Sequence, residues 1–215
     1  MAQTVMKLPT EVYVQELDPF TFDFKVCDCG KKDPTDKRYF NAGFFGYITK
    51  TNTIPVGNLV AGGKIITQAK DNPDWINVAK KKLTTIYTTK DGKCGITKTD
   101  TLDDDISLYR QIKTAISGIP IIVGAKYVSM EQIKQEGYFG DELYNTWHGF
   151  LGIRHNKPVY VAMKCGFDSM CWALVALGIY DAIKLDGGGS FILHDEKDLK
   201  TTDGNRIIHN IGVWE

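Results

Sequence analysis

The chain has 215 residues, 43% of them apolar and 24% charged, which suits one domain, residues 1–215, with a substantial core. Lys plus Arg and Asp plus Glu each number 26, so no basic field exists to attract a nucleic acid polymer or a membrane surface. Any anion binding must therefore be local.

Residues 11–17 and 20–26 alternate apolar and polar around Asp18-Pro19, which predicts two strands. Cys27-Asp28-Cys29 offers two thiolates, but Cys94, Cys165 and Cys171 form no second knuckle, so the cysteines read as structural and no metal site is expected from them. Lys31 to Lys37 is a charged loop. Residues 54–66 read as two strands joined at Gly62-Gly63, and 84–99 as a hairpin around Lys90-Asp91-Gly92-Lys93. Asp103-Asp104-Asp105 before Ile106, Leu108, Tyr109, Ile112 and Ile116 predicts a helix with an acidic first turn, closing at Gly118. Ile119 to Val123 is a buried-type strand, and Ser129-Met130-Glu131-Gln132 resembles a capping box. Residues 151–163 form a hairpin turning at His155-Asn156-Lys157. Asp168-Ser169 can cap a helix over 170–177, closed by Gly178 and apolar on nearly every side, hence expected at the centre. Short strands at 183–185 and 191–193, and a last one over 206–214, complete the chain. The expected class is α+β: a mixed, mostly antiparallel sheet with a central buried helix and two or three further helices.

Two stretches carry chemistry. Asp186-Gly187-Gly188-Gly189-Ser190 lies between β-like runs, and three glycines remove every Cβ, so backbone N–H groups can approach a ligand closely. An ordinary glycine turn with Asp and Ser as turn residues is the alternative. A nucleotide-binding loop is a poor match, because a helix should begin directly after the glycines and Phe191-Ile192-Leu193 follows instead. In Arg38-Tyr39-Phe40-Asn41-Ala42-Gly43-Phe44-Phe45, a polar amide sits among aromatics. Asn41 either bonds neighbouring backbone in a turn or faces a pocket walled by Phe44 and Phe45.

In order, Asn41-Ala42-Gly43-Phe44-Phe45, Pro55-Val56-Gly57 with Gly62-Gly63-Lys64, the run from Leu177 to Ser190 ending in Leu-Asp-Gly-Gly-Gly-Ser, and Arg206-x-x-x-Asn210 resemble the motifs of the phosphodiester glycosidase family. The resemblance spans 38–214, leaving 1–37 as N-terminal strands and a loop. There are departures: His148 stands where the family usually carries Arg, and Lys164-Cys165-Gly166 where it often has Asp-Gly, so one carboxylate is missing.

The resemblance implies a hydrolase cleaving the glycosidic bond of a sugar-1-phosphodiester or related glycosyl phosphate. Most glycosidases need a second carboxylic acid to protonate a poor leaving group, but a phosphate ester leaves as a weak base. Asp186 is then the catalytic carboxylate, as base for water or as nucleophile. His148 is open between acid–base work and a structural role. Arg206 is the expected phosphate partner. The N–H groups of Gly187, Gly188 and Gly189 could form an anion nest, with Ser190 beside them. Gly43, Asn41 and Asn210 complete the substrate-binding set, the two amides holding sugar hydroxyls or orienting the carboxylate.

The lost carboxylate motivates the alternative of a non-catalytic binding module for a phosphorylated sugar or nucleotide. The expected partner is a phosphorylated sugar or nucleotide sugar. No cofactor is expected. Asp186 with a backbone carbonyl leaves room for Ca²⁺ or Mg²⁺, yet activity without a strict metal requirement is anticipated. The absence of a secretory pattern over Met1–Pro9, of a long apolar run and of a regular cysteine framework points to a cytoplasmic location.

Overall fold

Among the described residues, three antiparallel sheets and a two-stranded ribbon build the fold. The computed structural model describes residues 9, 11–27, 36–49, 53–102, 110–138, 145–196, 198–201 and 209–215. The first sheet runs in the order β1 (Val12–Glu16), β14 (Lys157–Cys165), β13 (Thr146–Arg154), β15 (Asp181–Lys184), β11 (Ile119–Val123) and β12 (Lys126–Tyr127). The second is β7 (Lys64–Thr67), β6 (Leu59–Ala61), β10 (Ile112–Ser117), β8 (Leu83–Thr89) and β9 (Cys94–Thr99). The third is β17 (Asp198–Thr201), β16 (Ile192–Asp195), β3 (Arg38–Asn41), β18 (Asn210–Val213) and β2 (Asp23–Val26). The ribbon joins β4 (Phe45–Tyr47) to β5 (Thr53–Pro55).

Successive strand residues point to opposite faces, and the first sheet is buried on both. Leu151, Ile153, Tyr160, Ala162, Ile183 and Leu185 face a core shared with Phe24, Phe40, Ile86 and Ile116 of the other two sheets. Phe150, Val159, Val161, Met163 and Ala182 face the opposite core, which helix α2 (Phe167–Ala176) and helix α1 (Met130–Gln135) close. Burial on both faces explains why β13, β14 and β15 read as almost continuously apolar. The Phe40 ring stacks on Tyr160 at 3.8 Å between centroids and 7° between planes, joining the third sheet to the first.

The turns follow their residues. Gly62 and Gly63 both take positive φ (55° and 74°) between β6 and β7, and His155 and Asn156 do so (51° and 59°) between β13 and β14. These are the two-residue hairpin geometries that match strand twist. Helix α1 opens with the expected capping box, Ser129 accepting from Gln132 N–H while the Gln132 side chain takes the Ser129 N–H.

The α+β expectation is corrected to a mostly antiparallel β architecture, with two α-helices among the described residues. The predicted helix ending at Gly118 is strand over Ile112–Ser117, while Asp103, Asp104 and Asp105 lie outside the described residues. Its Ile, Thr and Ala side chains fit a strand hydrogen-bonded to both β6 and β8, with Thr114 Oγ bonded across to Thr88 Oγ at 2.7 Å. Nor is the apolar helix central. Helix α2 lies on one face of the first sheet, burying Met170, Cys171, Ala173 and Leu174 while Trp172 and Val175 are exposed. It starts after Gly166 without a side-chain cap, so Asp168 and Ser169 sit in its first turn. Its end is as expected: Gly178 has φ 75°, its N–H bonds Val175 C=O, and Ile179 N–H bonds Leu174 C=O, a Schellman closure.

Candidate active site

The glycine loop leaves the first sheet where β15 ends. Leu185 N–H still bonds Gly149 C=O of β13 at 2.9 Å, and Asp186 N–H crosses to Ala42 C=O beyond β3 at 2.8 Å. The chain thus passes from one sheet to another at Asp186. It then makes a single 3₁₀ turn over Gly188–Ser190, with Ser190 N–H to Gly187 C=O at 3.1 Å and Phe191 N–H to Gly188 C=O at 3.2 Å. Gly188 has φ 62°, which favours glycine there.

Asn41 braces both ends of this loop. Its Nδ2 donates to Asp186 C=O at 3.0 Å, and its Oδ1 accepts from Ile192 N–H at 2.9 Å. Asn210 does the same for the neighbouring stretch: its Oδ1 accepts from Gly43 N–H, its Nδ2 donates to Gly43 C=O at 3.5 Å, and its own C=O accepts from Ala42 N–H at 3.0 Å. Both amides are buried. Each therefore spends hydrogen-bonding capacity on backbone that no β ladder satisfies, across 145 to 167 residues of sequence. A Cβ on Gly43 would lie 3.0 Å from Asn210 Oδ1 and 3.2 Å from Ile116 Cδ1, so glycine keeps that clasp closed.

Asp186 is half-buried, and its Oδ1 accepts from Gly187 N–H at 2.9 Å. One of the loop's N–H groups is thereby committed to the carboxylate itself. His148 is fully buried on β13, two residues before Phe150, which faces Lys184. Carrying that register through the Leu185–Gly149 bond sets His148 across from Asp186. A Cβ built on Gly187 would lie 3.5 Å from His148 Cα and 3.7 Å from its Nδ1, so the loop rests directly on this histidine. Trp147 stacks on Phe191 at 5.2 Å and 17°, closing the other side of the loop.

Asn41 and Gly187 thus contact Asp186 directly and His148 lies under Gly187, while Asn210 holds Gly43, the residue after the Ala42 that Asp186 bonds, and Gly188, Gly189 and Ser190 form the 3₁₀ turn. Arg206 lies outside the described residues. At the position of the family's Asp-Gly, Lys164 is exposed at the end of β14 and Cys165 is buried under helix α2. Burial pushes the Cys165 thiol up to about 12 and Cys171 to about 11, which makes both poor nucleophiles. Among the described residues no three His, Cys, Asp or Glu side chains gather as a metal cluster.

Sequence reasoning missed Lys184. Its ammonium is buried, donating to Leu185 C=O at 3.1 Å and lying 5.2 Å from the centre of the Phe44 ring. The signal was available, because a lysine between Ile183 and Leu185 on a buried strand has no route to solvent.

That loop, entered by a carboxylate and held at both ends by the buried Asn41 amide, carries the motif that resembles the phosphodiester glycosidase family. The profile of that family, phosphodiester glycosidase, matches residues 39–212, and the chain belongs to it. The structure is similar to the zebrafish N-acetylglucosamine-1-phosphodiester alpha-N-acetylglucosaminidase catalytic domain auto-inhibited by its pro-peptide. The TM-score is 0.70 at 13% identity, covering 99% of this chain and 85% of that one. It is also similar to a hypothetical protein from Synechocystis, with TM-score 0.61, 12% identity and coverage of 94% and 59%. A Burkholderia pseudomallei protein matches at TM-score 0.62 and 10% identity, covering 94% and 73%. At these identities the likeness is one of fold. None of the curated proteins compared with the chain matches it.

Proposed function

We propose that the chain is a hydrolase that cleaves the glycosidic bond of a sugar-1-phosphodiester or a related glycosyl phosphate. The observation that carries this reading is the double clamp of Asn41 on the loop from Asp186 to Ser190. A glycine turn serving only to connect strands needs no buried amide reaching 145 residues to hold its entry and its exit.

In this reading Asp186 supplies the carboxylate at the anomeric carbon. The phosphate leaves as a weak base, so the family's missing second carboxylate is not essential for protonating it. Arg206 is the proposed phosphate partner through its planar fork of donors. Because His148 is fully buried beneath Gly187, its proposed role is to position the loop rather than to touch substrate. Asn41 and Asn210 likewise act through the backbone they hold.

Purified protein assayed against a panel of sugar-1-phosphodiesters and sugar nucleotides should release free sugar. Asp186→Asn should lower kcat by about 10²–10⁴-fold while leaving the melting temperature near that of wild type. Absence of turnover on the whole panel, or unchanged turnover in the variant, overturns the assignment.

A further inference from the structure

The strand that leads into the glycine loop ends on a lysine to which the proposed chemistry gives no role. Lys184 is the last residue of β15, it is 1% exposed, and its ammonium donates to Leu185 C=O at 3.1 Å. We infer that Lys184 is a positioning residue of the glycosidase site, its ammonium fixing the peptide that carries Asp186 and setting a positive charge beside the carboxylate. The inference rests on the glycosidase reading and deepens it.

Leu185 C=O belongs to the same peptide group as Asp186 N–H. That N–H bonds Ala42 C=O at 2.8 Å, so the peptide entering Asp186 is held at both ends. The groups on either side are held as well: Leu185 N–H by Gly149 C=O at 2.9 Å, and Asp186 C=O by Asn41 Nδ2 at 3.0 Å. Of these partners Lys184 alone brings a full charge, and an ionised donor makes the stronger hydrogen bond.

The packing around the lysine does not call for a charge. β15 is an inner strand, with Phe150 of β13 opposite Lys184 on one side and Ile119 of β11 on the other. Directly opposed residues share a face, so the stem runs among apolar side chains, and the ammonium lies 5.2 Å from the centre of the Phe44 ring. Methionine would fill much the same volume without the cost of taking a charge out of water. Across a trans peptide the carbonyl oxygen and the next Cα are about 2.8 Å apart, which puts the ammonium within about 6 Å of Asp186 Cα.

At that range, and out of bulk water, a positive charge is weakly screened and favours the anionic form of a neighbouring acid. Asp186 serves as base or nucleophile only as the carboxylate, so the lysine extends its working range toward lower pH. The other elements packed at this point bring their own groups. From β13 comes His148, beneath Gly187, and from the segment after α1 comes Tyr138, whose ring meets Phe44 at 5.6 Å. β11 opposes the lysine with Ile119 and β3 meets the loop with Asn41, neither of which titrates.

The test compares Lys184→Met, which keeps the volume, with Lys184→Gln, which keeps an N–H donor without the charge, each with and without Asp186→Asn. On the sugar-1-phosphodiester that wild type turns over, both should lower kcat about tenfold or more with KM within about threefold. The acidic limb of kcat/KM should move to higher pH by about one unit. In the Asp186→Asn background either change should lower the residual turnover by less than about twofold, because the lysine acts through that carboxylate. Hydrogen exchange of the peptide spanning residues 185–191 should be faster in Lys184→Met, with residues 59–67 unchanged. If Lys184→Met does not stay folded in circular dichroism melts, Lys184→Gln carries the same readouts. Wild-type kcat and an unmoved limb in both variants overturn the inference and leave the glycosidase reading standing. A fall in kcat of equal size with and without Asp186→Asn, the limb unmoved, marks a merely structural lysine and overturns it too. Faster loop exchange in the variant of a protein whose wild type turns over nothing on the panel sinks the glycosidase reading and keeps the lysine's hold on the loop. Unchanged loop exchange sinks that hold.

Discussion

A single buried amide, Asn41, holds the entry and exit of the glycine loop at once, through Asp186 C=O and Ile192 N–H. The sequence posed a choice between an amide bonded to neighbouring backbone in a turn and one facing a pocket, and Asn41 instead bonds backbone 145 and 151 residues away. Truncating it leaves both backbone groups without that partner in a buried setting, at about 1–3 kcal/mol each. Asn41→Ala should therefore lower unfolding free energy by about 2–6 kcal/mol in urea, and reduce turnover even at temperatures where the variant is folded. A loss below about 0.5 kcal/mol would mean the clamp is not what holds the loop. Asn41 was legible in the sequence because it interrupts an aromatic run. Lys184 is equally legible, as the one charged side chain between Ile183 and Leu185 on a buried strand.

At the scale of elements, pairing partners outweighed periodicity. Ile112 and Ile116 have helical spacing, yet β10 is flanked by β6 and β8 and buried across its width. Spacing of four satisfies a helix face and, being even, also one face of a strand, so the pattern alone could not separate them. Strand β18 shows how tightly these elements fit. Gly212 pairs with Phe40, and a Cβ there would lie 2.3 Å from Phe40 Cζ. That ring cannot retreat, because it is fully buried and stacked on Tyr160. Gly212→Ala should cost about 1–3 kcal/mol by overpacking, read as a lower urea midpoint at unchanged m-value. A midpoint equal to wild type would show that the ring has room to shift.

Across the whole molecule, the site forms where the first and third sheets meet, so its integrity depends on overall stability. His209 precedes β18, stacks on Phe45 and is buried, and burial depresses its pKa below the usual histidine value despite a hydrogen bond with Thr53 backbone that raises it. The unfolded chain then binds more protons than the folded one in the window below about pH 6.5. Stability is full above that value and falls as pH drops toward the folded-state pKa. Thermal melts between pH 7.5 and 5.5 should show a decline in wild type that is smaller in His209→Gln. An equal decline in both would remove His209 from the account.

The sequence by itself determined the hairpins, their turns and the glycine loop, because these depend on residues a few positions apart: Gly62-Gly63, His155-Asn156, Gly178 and the Ser129 capping box all stand where local chemistry put them. Its motifs also pointed to the family. What only the tertiary structure decided was the class of fold, since a 3.6-residue pattern and a strand pattern coincide in short apolar runs until neighbours are known. It also decided that β1 and β2, adjacent in sequence, belong to different sheets, and that the apolar helix α2 covers a sheet rather than forming the centre. The partners of Asn41 and Asn210 were beyond sequence reasoning for the same reason. A hydrogen bond spanning 145 or 167 residues leaves no trace in local spacing, and exists only because sheet packing brings those backbones within 3 Å or so of the amides.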